Sequence, residues 1–542
     1  MTVIAGVDIG NSTTEIVLSV AGLPQAWDRR PTRGHKGSLA SVQAAAALLR
    51  NIERSSGLHA DRVIVAPWHP VTSDTATVHE APPHTGRFEI VECASHSVVG
   101  NSHASAPPWI LSHNHRDGAV IALIPSAIDF STAAQLLNSA VDNGMSIVGI
   151  AVEQDEAVLI AARISVTVPI VDRIDIQALS QAQHIFIEVR PAGSSVTTAT
   201  DVWALSTAFN ARDDEREYLA QLARWVNGER AVVIAAHEKE SALPARSAVA
   251  RIHYRTGEWH ELFSVVAAAS PVGIVKEIDI PGLLTTSVSD MWAVDIIASL
   301  TNRGIRTRSH SRTVAVATLA QSAHTPTQDL EAIFGIPVAH ASSEADAAAR
   351  GARTTPGISE HTVIIDIGGG TIDLISDTAV VAAGAGDLLT AAVAYTLDVP
   401  RGAADWIKRG PAQRVEAPTV VLTEDGAKTF VDQPIAATLT GSLVAMGPSG
   451  YLAFGSGFSP AEWRIARQGL KASVIAANVE RIVSSAGLRA PVDVIVVGGP
   501  AADDELVPLL SQLPSLRNVG RGNVAGKLGH RYAVAYGLTL NS

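Results

Sequence analysis

The sequence predicts an α/β protein of two related lobes, with a further α/β module set into the first lobe. Three observations lead there. The stretch Val7-Asp8-Ile9-Gly10-Asn11-Ser12-Thr13-Thr14-Glu15-Ile16 is echoed much later by Ile365-Asp366-Ile367-Gly368-Gly369-Gly370-Thr371-Ile372-Asp373-Leu374, with Asp, Gly, Thr, an acid and an aliphatic residue at matching offsets. Each reads as a strand, a tight polar turn and a second strand. Between them, short apolar strands alternate with helical stretches. The composition is 47% hydrophobic with only 4% aromatic residues, as buried Val/Ile/Leu/Ala strands require.

Taken in order, residues 3–9 and 14–20 form the first hairpin. Ser38–Arg54 has helical spacing, with Leu39, Val42, Leu48 and Leu49 on the apolar positions. Residues 62–66 are a buried strand. Ser, His, Asn and Pro cluster over 95–117, which marks a domain boundary close to residue 90 and puts His103, His113 and His115 in a loop. Strands follow at Ala119–Ile124, Ser146–Val152, 184–189 and 231–235, with a helix over Thr132–Asn143. After the second hairpin come the glycine-rich turn Ala383-Gly384-Ala385-Gly386-Asp387 and a helix from Leu388. Residues 400–460 show less regularity. Ser459-Pro460 starts a helix running to Ser485, and Val492–Val497 is a strand ending in Gly498-Gly499-Pro500.

Length and charge narrow the function. At 542 residues the chain calls for about two to four domains. A net charge of −12 argues against a general nucleic-acid binder. One cysteine, Cys93, excludes an internal disulfide and a cysteine-based cluster. No apolar run approaches the length of a membrane span, and the chain opens directly on a strand, so the expected location is cytoplasmic.

The hairpin turns carry the chemistry. Gly10-Asn11-Ser12-Thr13 aims successive N–H groups and two hydroxyls into one concavity, which suits phosphate oxygens. Asp8 cannot usefully meet phosphate itself but can reach a hydrated Mg²⁺ that bridges the phosphates. Gly368-Gly369-Gly370-Thr371 repeats the device, with backbone free to approach closely. There Asp366 supplies a carboxylate toward metal or attacking water. Gly498-Gly499 closes a buried strand flatly enough to serve as an adenosine wall. Gly520 through Lys527 is only faintly like a Walker A loop, since Leu528 stands where a hydroxyl would hold Mg²⁺.

This ordered triple resembles the actin, Hsp70 and sugar-kinase superfamily, in which two RNase H-like lobes close on ATP. The resemblance implies that Asp8 and Asp366 are catalytic. It places Gly10, Asn11, Ser12, Thr13, Gly368, Gly369, Gly370, Thr371, Gly384, Gly386, Asp387, Gly498 and Gly499 around ATP or ADP with Mg²⁺. Closer still, Ile4 through Glu15, Gly34-His35-Lys36-Gly37, Gln154-Asp155, Pro169-Ile170-Val171-Asp172, Ala293-Val294-Asp295, Glu344-Ala345-Asp346-Ala347, Thr354-Thr355-Pro356-Gly357, Gly520-Arg521-Gly522-Asn523-Val524 and Ala533 through Leu538 resemble, in order, the large subunit of diol and glycerol dehydratase reactivases.

That likeness implies an ATP-dependent, chaperone-like factor with an actin-like ATPase core and an inserted swivelling domain. Such a factor releases damaged cobalamin from an inactivated adenosylcobalamin-dependent dehydratase, its client. It works with a small reactivase subunit in a hetero-oligomer, with no role for membrane or nucleic acid. It also implies an interface metal on Ser105, Asp155 and Asp172, whose hard oxygens suit Mg²⁺ or Ca²⁺. The expected domains are the first lobe (1–90), the swivelling domain (91–260), the core continued (261–400), a smaller subdomain of the second lobe (401–480) and the C-terminal part of the core (481–542). The chain departs from the family pattern most over 170–260.

Other readings stay open. A small-molecule kinase of the same superfamily needs a catalytic base beside a substrate pocket, and no motif marks one. A filament-forming or scaffolding actin relative is another. The ATPase that activates radical acyl-CoA dehydratases needs cysteines for its cluster, which this chain lacks.

Overall fold

The structure, a computed structural model, describes residues 2–34, 36–66, 73–79, 85–94, 98–112, 116–191, 194–239, 250–266, 270–280, 284–301, 303, 313–320, 329–341, 343–454 and 457–540. His35, His113 and His115 lie outside them. The chain forms two compact units: Met1–Val78, Ala250–Ile305 and Thr313–Ser542 make one, and His79–Val249 with Arg306–Arg312 make the other.

Within the larger unit, two five-stranded sheets share one topology. In the first, Val3–Ile9, Thr13–Val20 and Leu23–Pro31 form an antiparallel meander. Arg62–Val65 then runs parallel to Val3–Ile9, and Val338–His340 runs parallel to Arg62–Val65. In the second, Val363–Ile367, Thr371–Ile375 and Ala379–Ala383 make the meander, and Val492–Val497 and Leu516–Arg521 add the parallel pair. The repeated hairpin motif is therefore the visible tip of a repeated lobe. Val3–Ile9 is buried nearly throughout, as an apolar run at the centre of a covered sheet should be.

Helix Leu39–Ser56 covers the first sheet. Ser38 caps it by accepting from the Ser41 N–H, and Gly57 ends it at φ 72. Helices Glu344–Ala352 and Ala533–Thr539 cross so closely that a Cβ on Gly537 would lie 1.8 Å from the Ala347 carbonyl oxygen, and one on Gly351 1.9 Å from that of Ala533. Gly6 allows the same approach of Val3–Ile9 to Ala535. These glycines let backbone touch backbone where the lobes join.

Two further sheets complete this unit. One has six strands, in the order Trp259–Glu261, Arg251–Tyr254, Val275–Ile280, Leu284–Asp295, Thr313–Ala320 and Ser73–His79. The other corrects the expectation of irregular chain over 400–460. After helix Arg401–Ile407, five antiparallel strands run from Ala412–Ala417 to Gly450–Phe454. Pro460–Lys471 begins as expected, with Ser459 and Glu462 forming a capping box. It continues through a π-helical turn, Ala472–Ala476, into Ala477–Ser485.

The smaller unit holds a five-stranded sheet centred on Ser146–Val152 and a four-stranded antiparallel sheet of Phe88–Ala94, Ala231–Ala236, His184–Val189 and Ser102–Ala106. Both expected boundaries shift by pairing. Phe88–Ala94, split by a boundary at 90, pairs along Ala231–Ala236 and belongs wholly to the inserted unit. Arg251–Tyr254, expected inside the insertion, pairs with Val275–Ile280 of the larger unit. His103, expected in a loop, lies on strand Ser102–Ala106. Among the described residues, no helix is long and apolar enough to cross a membrane.

Candidate functional site

The two hairpin turns close alike. The Gly10 N–H donates to the Thr13 carbonyl at 2.9 Å, and the Gly368 N–H to the Thr371 carbonyl at 2.9 Å. Thr32 Oγ1 supports the first turn by donating to the Gly10 carbonyl at 2.8 Å. The glycine-rich turn backs the second: Gly384 N–H donates to the Gly370 carbonyl at 2.8 Å and Asp387 N–H to that of Gly369 at 2.7 Å. The helix over Gly386–Leu397 starts two residues ahead of the expected Leu388, so its first turn belongs to the site.

The turns of the two lobes meet. Ser12 Oγ donates to Asp387 Oδ1 at 3.4 Å, and a Cβ on Gly369 would stand 2.5 Å from Ser12 Oγ. Gly498 sits at φ +91, where a Cβ would come 2.3 Å from both Asp366 Oδ1 and the Ile367 carbonyl oxygen. Only glycine lets strand Val492–Val497 end flush against the second aspartate. Gly499 and Gly386 flank this point, near Arg531 and Pro500 respectively. Asn11 is on the exposed rim of the first turn.

Carboxylates crowd the cleft. Burial, then the charge of Glu344, pushes Asp8 up to about 7, with Lys36 opposing. Burial and the neighbouring Asp8 push Glu15 up to about 8. Asp373 is pushed up to about 7 by burial and Glu344, against a hydrogen bond from Thr371 and the charge of Lys36. Asp366 is held well above the ordinary carboxyl range by burial, Asp373, Asp8 and Glu344. Asp8 Oδ1 and Asp373 Oδ1 are buried acceptors without a hydrogen-bond donor. Asp8, Asp366 and Asp373 are the carboxyls here that could turn oxygens toward a hard divalent cation, two of them with orphaned oxygens, although among the described residues no three acids, histidines or cysteines are gathered as a ready-made metal site.

Three charged residues beside the turns, Lys36, Glu344 and Lys408, carry no role in the sequence reading. Lys36 Nζ lies 2.9 Å from Glu344 Oε2, and its side chain is only 10% exposed. Burial alone would lower its pKa, but Glu344, Asp8 and Asp373 outweigh burial and raise it. Both residues stand inside motifs that carry the family resemblance. The available signals were a lysine beside Gly37 and an acid opening a Ser343-capped helix. Lys408 is the second missed cation: its Nζ donates to the Gly386 carbonyl at 2.8 Å and to Thr390 Oγ1 at 2.6 Å, bracing the start of the helix after the glycine-rich turn.

The expected metal trio lies in the inserted unit. Asp155 and Asp172 come together: burial pushes Asp172 up to about 6, the Ala157 N–H opposing and Asp155 adding to the rise. Asp155 pairs with Arg173 and the Ala157 N–H donates to Asp172 Oδ2 at 3.2 Å. Ser105 is on strand Ser102–Ala106, its Oγ donating to the Ala208 carbonyl at 3.2 Å, in a cavity wall with His103, Val148 and Phe186.

Comparison with known proteins finds relatives along the whole chain. The family described as diol dehydratase reactivase ATPase-like domain matches residues 275–542, and the one described as DD-reactivating factor swiveling domain matches residues 107–240. The second match spans most of 170–260, where the sequence reading found the poorest likeness. The chain is 27% identical to the propanediol dehydratase-reactivating factor large subunit of Salmonella typhimurium and 26% identical to that of Citrobacter freundii, over 100% of this chain and 98% of each relative. It is 27% identical, at the same coverage, to the diol dehydratase-reactivating factor large subunit of Klebsiella michiganensis. Among solved structures, a diol dehydratase-reactivating factor in nucleotide-free form aligns at TM-score 0.59 and 24% identity, over 100% of this chain and 99% of that one. A glycerol dehydratase reactivase aligns at TM-score 0.57 and 22% identity, over 99% of each. The fold is thus that of the solved reactivating factors, with two lobes of shared topology and an inserted unit that the swiveling-domain family matches.

Proposed function

The chain belongs to the diol dehydratase reactivase family, and from that premise we propose that it is the ATP-hydrolysing large subunit of a reactivating factor. It releases damaged cobalamin from an inactivated adenosylcobalamin-dependent diol or glycerol dehydratase so that intact cofactor can enter. It acts in the cytoplasm with a small subunit, as a hetero-oligomer. The observation that carries the ATPase reading is the meeting of Ser12, Gly369 and Asp387 across the lobes. Phosphates bound there touch both turns at once, so the state of the γ-phosphate decides whether the lobes are tied together.

Backbone N–H groups of 11–13 and 369–371, with the Ser12 and Thr13 hydroxyls, bind and orient the phosphates, while the Gly10 and Gly368 N–H groups close the turns. Asp8, Asp366 and Asp373 would hold Mg²⁺, which supplies charge neutralisation at the phosphate oxygens when bound with the nucleotide. Asp366 orients the attacking water and accepts one proton from it, while Asp8 orients the water shell of the metal; burial and neighbouring acids raise both carboxyls. Lys36 restrains the repulsion among these carboxylates. In the inserted unit, Asp155 and Asp172, with Ser105 as the third oxygen, are the proposed ligands of an interface Mg²⁺ or Ca²⁺ shared with the small subunit.

Phosphate release from ATP by the purified chain tests this. Asp8→Ala and Asp366→Ala should each lower turnover at least tenfold, and neither should restore an inactivated dehydratase in the presence of the small subunit. Unchanged turnover in both variants would overturn the assignment.

A further inference from the structure

Behind the glycine-rich turn lies a polar network in the core. Asp290 and Arg481 form an ion pair with both side chains 2% exposed. Asp290 Oδ1 accepts from the Gly273 N–H at 2.9 Å and Oδ2 from the Ala383 N–H at 2.8 Å. Arg481 Nη1 donates to Asn478 Oδ1 at 2.9 Å, and Asn478 Nδ2 donates to the carbonyls of Ala383 at 2.8 Å and Gly384 at 2.7 Å. Arg481 Nε donates to the Ser270 carbonyl at 2.8 Å, and Ser270 Oγ is 3.2 Å from the Tyr254 hydroxyl. Trp292 lies under Arg481, and its Nε1 donates to the Val474 carbonyl in the π-helical turn at 3.2 Å.

A buried charge pair is costly and adds little net stability over apolar packing. Here its hydrogen bonds end on the two residues that open the glycine-rich turn behind the second phosphate turn, Ala383 and Gly384, and on the 270–273 segment. That segment leads into Val275–Ile280, the neighbour of Arg251–Tyr254, and Arg251–Tyr254 is the first strand after the chain returns from the inserted unit. We propose that Asn478, Arg481 and Asp290 are positioning residues: they set the Gly384–Asp387 turn for nucleotide and pass its displacement through Ser270 and Tyr254 to strand Arg251–Tyr254. The inference rests on the ATP-site reading above. It adds that the nucleotide state is transmitted to one particular strand, through one particular amide.

The test uses the full-length chain and Mg²⁺ with an N-methylanthraniloyl-ADP probe, followed by fluorescence and by amide hydrogen exchange over 250–266 and 270–280. With the Arg481–Asp290 ion pair left in place, Asn478→Ala removes two donated bonds and the one accepted from Arg481 Nη1. It should weaken probe binding about tenfold at a temperature where the melting curve shows the protein fully folded. Tyr254→Phe should leave probe affinity within twofold of wild type yet abolish the nucleotide-dependent exchange change over 250–266. Wild-type affinity in Asn478→Ala, or a wild-type exchange response in Tyr254→Phe, overturns the proposal. If Asn478→Ala fails to fold, Tyr254→Phe decides alone. Absence of probe binding by the wild-type chain would instead overturn the nucleotide-site reading.

Discussion

Lys36 and Glu344, 308 residues apart in the chain, meet at 2.9 Å beside the carboxylates of both lobes. Lys36 follows the first hairpin, and Glu344 opens the helix that follows Val338–His340, the last strand of the same sheet, and crosses Ala533–Thr539. Lys36 also opposes the upward shifts of Asp8, Asp366 and Asp373. It therefore acts on both lobes at once.

Replacing this lysine by an isosteric apolar side chain separates its charge from its bulk. Lys36→Met should reduce ATP turnover at least tenfold, and Lys36→Arg should recover part of it, because the charge matters more than the exact donor geometry. Steady-state phosphate release gives the comparison. Equal turnover in Met and Arg variants would show that the residue serves only packing.

Gly498 offers a steric test. At φ +91, with a Cβ 2.3 Å from Asp366 Oδ1, alanine has no room, and the strand end must move away from the second aspartate. Gly498→Ala should cost about 1–3 kcal/mol in stability and abolish detectable nucleotide binding. Gly402→Ala, in the helix Arg401–Ile407 with nothing near the added methyl, should instead be neutral or slightly stabilising. Thermal melts and probe titrations on the two variants would expose the idea as wrong if they behaved alike.

The parts legible in the sequence were those encoded locally. Asp8 and Asp366 announce themselves because the strand–turn–strand pattern around each fits within ten residues, and Ser459-Pro460 marks a helix start within two. The sheet within 400–460 escaped because its strands are short, at three to six residues, and Lys428–Phe430 is exposed throughout, so no sustained apolar alternation betrays it. Lys36, Glu344 and Lys408 escaped for another reason. Each is an ordinary charged residue in its own segment, and only the crossing of distant helices and strands turns it into the cleft.

The second lobe's small subdomain makes its own prediction about pH. Arg467, its side chain fully buried, bridges Glu424 and Glu505, and Lys471 bridges Asp503 and Glu505. Burial alone would raise Glu505, yet hydrogen bonds from Arg467 and the charge of Lys471 outweigh it and hold the carboxyl down at about 2. A depressed carboxyl stabilises the fold above its unfolded value of 4.5 and loses that contribution as pH falls toward 2. Glu505→Gln should therefore melt well below wild type at pH 7, and the gap should shrink steadily on acidification to pH 3. A gap independent of pH would mean that the ion pairs are not what Glu505 contributes.

The inserted unit supplies the last test, on the metal proposed between subunits. Arg173 adopts φ 58, unusual for an arginine, and its guanidinium pairs with Asp155 beside Asp172. This side chain supplies positive charge where the two carboxylates would hold a divalent ion. Asp155→Asn with Asp172→Asn keeps side-chain shape, and the amide oxygen introduced at position 172 can still accept from the Ala157 N–H, so the fold should survive while the charge is lost. The double variant should bind the small subunit at least tenfold more weakly, chelation by EDTA should weaken the wild-type complex likewise, and nucleotide affinity should be unchanged. Isothermal titration of small subunit and of nucleotide against the same protein makes the comparison. Loss of nucleotide binding in the double variant would contradict two separate sites, and an EDTA-insensitive wild-type complex would remove the metal from the interface.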